Sequence, residues 1–202
     1  MTRRWLAIAA VTLPGLILAA VGLTHPDRLT PETAQWWTTM HIVLLPLFPL
    51  LAVGPWLVAR SVEPVYGRIT LVLGYLYACF YSALDVLAGI AAGALKHDRE
   101  GGLATVFGHA NDLGQIGSIA YIGATAAAAG CLLRVCGVWV LPGAALALLG
   151  AYGFMENHVY PPWGVLSMLA IAAGWAWMLQ VDRRQRRLSS GRSGSVTRAT
   201  AG

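Results

Sequence analysis

The sequence predicts an all-α integral membrane protein: a bundle of about six transmembrane helices with both termini in the cytoplasm. Three observations carry that reading. Of 202 residues, 57% are hydrophobic and only 11% are charged, whereas a soluble domain carries about a quarter charged residues to cover its surface. The apolar residues gather into long runs, each approaching the roughly 20 residues that a helix needs to cross the hydrocarbon layer. The basic residues between those runs fall overwhelmingly on one side.

The first run, near residues 5 to 23, follows Arg3 and Arg4. Its length favours a retained span over a cleaved signal peptide ending near Ala20 and Gly22, whose apolar core would be shorter. The second, 38 to 59, contains Pro46, Pro49 and Pro55, each lacking the amide hydrogen of a helical bond, so a kink is expected there. The third, 69 to 95, carries Asp85 and the small-residue face Gly89-Ile-Ala-Ala-Gly93, which lets a neighbouring helix approach closely. The fourth, 113 to 133, has Gly114, Gly117, Ala120, Gly123, four alanines from 126 to 129 and Gly130, suiting it to the bundle centre. The fifth, 138 to 154, is short and includes Pro142, and the sixth covers 163 to 181. Together, residues 1–181 form the transmembrane domain. Residues 182–202 are basic and rich in Ser, Gly and Thr without apolar periodicity, as expected of a disordered tail.

Alternating six spans places Arg3, Arg4, Arg60, Arg68, Arg134, Arg183, Arg184, Arg186, Arg187, Arg192 and Arg198 with the termini, and Arg28, Lys96 and Arg99 opposite. Eleven against three is a strong positive-inside bias. The thirteen arginines to one lysine suggest a GC-rich bacterial genome, and a bacterial plasma membrane is the expected location. Arg183, Arg184, Arg186 and Arg187 would lie against anionic headgroups, so the pI of 9.4 requires no nucleic acid. The tryptophans near the span ends, Trp36 and Trp37 among them, read as interfacial anchors. Cys79, Cys131 and Cys136 fall within spans or near an inner end, where no disulfide is expected. The small-residue faces serve either packing within the chain or contact with a second copy or partner subunit.

The chemistry-bearing residues cluster by topology. His25, His41, His97, His109 and His158 all fall on or near the outer side. His97 sits in the charged loop Lys96-His-Asp-Arg-Glu100 and faces water, leaving His25, His41, His109 and His158 as candidate metal ligands. Imidazole nitrogens suit zinc or another transition metal when three or four converge on one ion, and two from different helices could ligate a single haem b, with His41 and His109 the first pair to consider. Asp112 follows His109 by three residues and Glu156 precedes His158 by two. Asp85 lies inside the third span, where an ionised carboxylate costs several kcal/mol unless paired or hydrated. Tyr81 and Ser82, one turn earlier, are the expected partners of its carboxyl.

No HExxH, Gly-x-Ser-x-Gly, phosphate-loop or dinucleotide motif is present, so no catalytic residue is assigned. Three functions stay open: an outer-side metal or haem protein, a proton-coupled small-molecule permease using Asp85, and a non-catalytic membrane subunit.

Overall fold

A computed structural model describes the backbone of residues 2–199 and the side chains of residues 5–186. The side chains of Arg3, Arg4, Arg187, Arg192 and Arg198 therefore lie outside the described residues. The protein is all-helical, with 85% of residues in helices and no strand among those described.

The helices are α1 (Thr2–Gly22), α2 (Ala34–Leu44), α3 (Val53–Arg60), α4 (Pro64–Leu84), α5 (Ala92–His97), α6 (Leu103–Cys136), α7 (Leu141–Asn157) and α8 (Trp163–Ala199). Several are joined end to end. Five helical stretches are long and apolar enough to cross a membrane: Trp5–Gly22, Ala34–Arg60, Pro64–His97, Leu103–Asn157 and Trp163–Arg186. Leu71, Val72, Ile119, Val138, Trp139 and Leu149 are among the large apolar side chains on the surface, an exterior suited to lipid and ill suited to water.

The prolines act as the sequence predicts, and more sharply. α2 stops at Leu44, the chain turns through 45–47, and a 3₁₀ stretch, Phe48–Ala52, holds Pro49 in its first turn before α3 begins. Pro55 falls in the first turn of α3, where its missing amide leaves no helical bond unmade. A second irregularity faces the first: between α4 and α5 the helix widens into a π-helical segment, Asp85–Ala91.

α6 begins ten residues before the predicted fourth span, because its polar first turns make helical hydrogen bonds without being apolar. α8 likewise extends beyond the predicted sixth span, into the stretch read from composition as a polar tail. The 55-residue stretch Leu103–Asn157 folds back on itself at Gly137, whose φ of 65° is one that only glycine adopts without strain.

Glycine contacts fix the packing directions. Gly143 and Gly174 face each other across α7 and α8, where a methyl on Gly143 would sit 2.9 Å from the Gly174 carbonyl. Further along, Gly150 meets Ser167 and Ile171, so α7 and α8 run antiparallel. Gly117 of α6 packs on the Tyr81 backbone and Gly123 on Leu73, which makes α6 antiparallel to α4. Gly15 of α1 lies on Met168 and Ala172 of α8. The core between these helices is built from Leu18, Met40, Leu44, Phe48, Tyr77, Tyr121, Leu132, Phe154, Ile171 and Trp175, all fully buried.

The two ends of the bundle differ chemically. At one end Arg186 donates to the Asp182 carboxylate at 2.9 Å and to the Ser61 carbonyl at 2.6 Å, while Arg134 pairs with Glu63 at 3.8 Å. At the other end the ends of α1 and α7 meet the start of α2, and the histidines collect there.

Candidate metal centre

Three histidines from three separate places in the chain converge at that end. His25 follows α1, His41 lies on α2, and His158 caps the end of α7. One ring nitrogen of each lies within 4.8 Å of those of the other two. The ring centroids are 5.4 Å apart for His25 and His41, 5.9 Å for His25 and His158, and 6.0 Å for His41 and His158.

Each ring is oriented through Nδ1. His41 Nδ1–H donates to the Trp37 carbonyl at 2.7 Å, one helical turn back. His25 Nδ1–H donates to the Pro26 carbonyl at 2.9 Å. A carbonyl can only accept, so both neutral rings carry their proton on Nδ1 and a lone pair on Nε2. His158 Nδ1 lies 2.6 Å from the Tyr81 hydroxyl, which can accept the same kind of bond. An oxygen partner on one ring nitrogen that frees the other as a base is the arrangement that orients metal-binding histidines. The Nε2 atoms of His25 and His158 are buried and have no hydrogen-bond partner, so something with a vacant orbital or a proton to share is needed to satisfy them.

Electrostatics keep the rings neutral. Burial lowers the pKa of His25. It lowers that of His158 well below the ordinary histidine value, with the like charges of His41 and His25 adding to the effect. Neutral imidazole is the form that binds a metal. Tyr160, whose ring centroid is 4.1 Å from that of His25, has its phenol pushed up to about 12 by burial and stays a neutral wall of the site.

Local backbone features hold these positions. His158 has φ 48°, a conformation that a non-glycine residue adopts at a cost of order 1–3 kcal/mol, and this turn ends α7 and aims the ring inward. His41 lies directly on Gly89, where any methyl group would overlap its ring. Gly93, one turn later, takes Thr38 and Trp37 in the same way. Trp37 is buried, donates from Nε1 to the Ala88 carbonyl at 2.9 Å and packs edge-on against His25 at 4.7 Å. Compared with known proteins, this chain matches no family model, no curated protein and no solved structure.

A cavity of about 390 Å³ opens beside the triad, with His41 and His158 in its wall and His25 behind them. The face of α6 carrying Phe107, Asn111, Gln115 and Ser118 forms the opposite wall, joined by Leu84, Ala88, Met155, Glu156 and Tyr160.

Of the residues singled out from sequence, His25, His41 and His158 come together and His109 does not. His109 and Asp112 are exposed on α6, so the expected pairing of His41 with His109 around a haem is not formed. A haem between two of the clustered histidines would require its ring plane to pass through the third imidazole. Glu156 is exposed at the cavity. Ser82 is half-buried, and neither it nor Tyr81 bonds Asp85: the Tyr81 hydroxyl turns to His158 instead. Asp85 is fully buried at the start of the π-helical segment, and both carboxylate oxygens lack a hydrogen-bond partner among the described residues. Trp37, read from sequence as an interfacial anchor, proves to be a structural support of the site. Its position one turn before His41 was the available signal.

Proposed function

We propose that this protein is a six-span component of a bacterial plasma membrane, with both termini cytoplasmic, that binds a single divalent transition-metal ion at its outer face through His25, His41 and His158. The observation that carries this reading is the convergence of three imidazoles whose Nδ1 atoms are all engaged by oxygen. Three neutral nitrogens suit zinc, copper, iron or nickel. Zinc is the first choice, because three protein ligands with a fourth position left for water is its recurrent open-site pattern. In a tetrahedral zinc site the ligand nitrogens stand about 3.4 Å apart, so the rings would close in by roughly an ångström around the ion.

The six-span topology is supported by the antiparallel run of α6 and α7 and by the distribution of Arg and Lys. At 17 residues, α7 covers about 26 Å at 1.5 Å per residue, close to the hydrocarbon thickness of about 30 Å. The tail arginines would bind anionic headgroups, and the small-residue faces leave room for a second copy or a partner subunit.

The test is elemental analysis of protein purified in detergent without chelators. One metal ion per chain, lost when each of the three histidines is replaced by alanine in a folded protein, is expected; a metal-free protein that also takes up no zinc, copper, iron or nickel on titration would refute the reading. A second reading, the proton-coupled permease, rests on the buried and unpartnered Asp85. It predicts pH-dependent flux in proteoliposomes that Asp85→Asn abolishes.

A further inference from the structure

The cavity beside the triad is where the metal reading acquires a substrate. Its two walls are unlike. α6 presents Asn111, Gln115 and Ser118 at intervals of four and three residues, so all three project from one helical face, and these uncharged groups both donate and accept hydrogen bonds. Leu84, Ala88, Phe107 and Met155 supply an apolar surface in the same space. Glu156 is the one carboxylate in the lining, and no lysine or arginine contributes to it. A strongly anionic ligand such as a phosphate would find no cation there except the metal itself, whereas an uncharged carbonyl compound with an acyl arm fits both walls. The volume of about 390 Å³ equals that of about a dozen liquid water molecules, within the range of small-molecule sites.

The direction of the open coordination position follows from the lining. His41 and His158 form part of the cavity wall, while His25 lies behind them and does not. An ion held by all three therefore turns its fourth position towards the cavity.

Resting on the metal reading, we propose that the cavity is a reaction chamber in which a metal-bound water hydrolyses a small, uncharged acyl ester or amide. The metal lowers the pKa of its water to near neutrality, and the water releases a proton to the outer solution. The resulting hydroxide adds to the carbonyl carbon. The bond from that carbon to the ester oxygen or amide nitrogen then breaks, and the departing group takes up a proton from solvent. The sum is one water and one acyl compound giving a carboxylic acid and an alcohol or amine, with no oxidant or reductant. Asn111 and Gln115 bind the polar part of the substrate, and Phe107, Leu84 and Met155 bind the acyl arm.

The experiment uses the full chain in detergent, stripped with dipicolinate and reloaded with zinc, with zinc content measured in every sample. The probes are 4-nitrophenyl acetate, butyrate and octanoate. Zinc should restore ester cleavage at least tenfold over the stripped protein, and His25→Ala should abolish both zinc and turnover. Asn111→Leu and Phe107→Ala, at sites outside the core, should retain zinc and raise KM severalfold, Phe107→Ala more for the longer acyl chains. Benzohydroxamate, which combines a carbonyl with a metal-binding group, should bind one to one by calorimetry only when zinc is present. Stoichiometric zinc with cleavage no faster than the stripped protein would overturn the chamber while leaving the metal site standing, as would zinc-loaded protein that ignores benzohydroxamate. Failure to take up any metal would remove both.

Discussion

Replacing Gly89 with alanine tests the site without touching a ligand. The new methyl group would project onto Cγ and Cδ2 of His41, well inside van der Waals contact. The α4–α5 helix is held at this level by the Trp37 bond to the Ala88 carbonyl, so the ring must give way. Two effects then oppose each other in the fold: overpacking destabilises by about 1–3 kcal/mol, and exchanging glycine for alanine in a helix returns up to about 1 kcal/mol. Net stability should fall by no more than about 2 kcal/mol. Metal affinity should suffer more, because displacing His41 disrupts its bond to the Trp37 carbonyl. Losing such an orienting contact weakens metal binding by about 10–100-fold, equivalent to about 1.4–2.7 kcal/mol. The assay is competition between the protein and a zinc-chelating dye, beside thermal unfolding of the stripped protein. Gly108→Ala is the matched control, since a methyl there meets nothing within 4 Å. If Gly89→Ala binds zinc as tightly as the wild type while remaining folded, His41 is not a ligand and the triad is only a packing cluster.

Other expected outcomes follow from the same geometry. Zinc at 100 times its Kd should stabilise the fold by about 2.7 kcal/mol, raising Tm by about 5–10 °C for a chain of this size, and His158→Ala should erase that shift in calorimetry. Tyr81→Phe removes the oxygen at 2.6 Å from His158 Nδ1 while preserving the ring, so zinc affinity should fall about 10–100-fold with the stoichiometry at saturation unchanged. For the stripped protein, the depressed pKa values of His25 and His158 set the sign of the pH dependence. Above about 6.5, the unfolded value, both states are neutral and the stability is fully present. As the pH falls from there towards the depressed folded pKa values, only the unfolded chain gains protons, and stability should decline by up to about 1.4 kcal/mol per pH unit for each histidine. Thermal melts in chelator between pH 8 and pH 5 check this, and a flat or rising Tm on acidification would contradict it. His158→Gly should unfold at a higher temperature than His158→Ala in the stripped protein, because glycine adopts φ 48° without the strain that alanine would bear.

Hydropathy made the helices legible and misjudged their ends for one reason: it records contact with lipid, while a helix is defined by its hydrogen bonds. α6 begins at Leu103, and its first turns, with His109, Asn111 and Asp112, are helical yet polar. The prolines of the second span announced a break, but the sequence could not show that the chain would respond with a turn and a 3₁₀ stretch. At the site, topology alone put five histidines towards one side. Which of them converge depends on helix rotation, which a sparse set of polar residues does not determine, and so His109 was grouped with ligands that it turns away from. The partner of Asp85 was misread for a related reason. Tyr81 does lie one turn away, but its hydroxyl is claimed by His158, seventy-seven residues further along the chain. Trp37 and Gly89 escaped notice because their contribution is shape rather than chemistry.

The π-helical segment Asp85–Ala91 has a consequence for the spacing of the chain. A π turn is an α-helix carrying one surplus residue, and that residue sets the phase of everything after it. Deleting a single residue such as Leu87 would let the segment relax to a regular ladder and rotate its C-terminal remainder by about 100° with a 1.5 Å shift. Gly93 would swing away from Trp37 and Thr38, and a bulkier side chain would arrive in its place. The interval from Tyr81 to Gly93 thus behaves as a reading frame for the metal centre: substitutions within it are graded in effect, whereas a change of one in its length is all or none. Evolving relatives of this chain are expected to vary freely in the length of the loop at 98–102 and to keep the count between Tyr81 and Gly93 fixed.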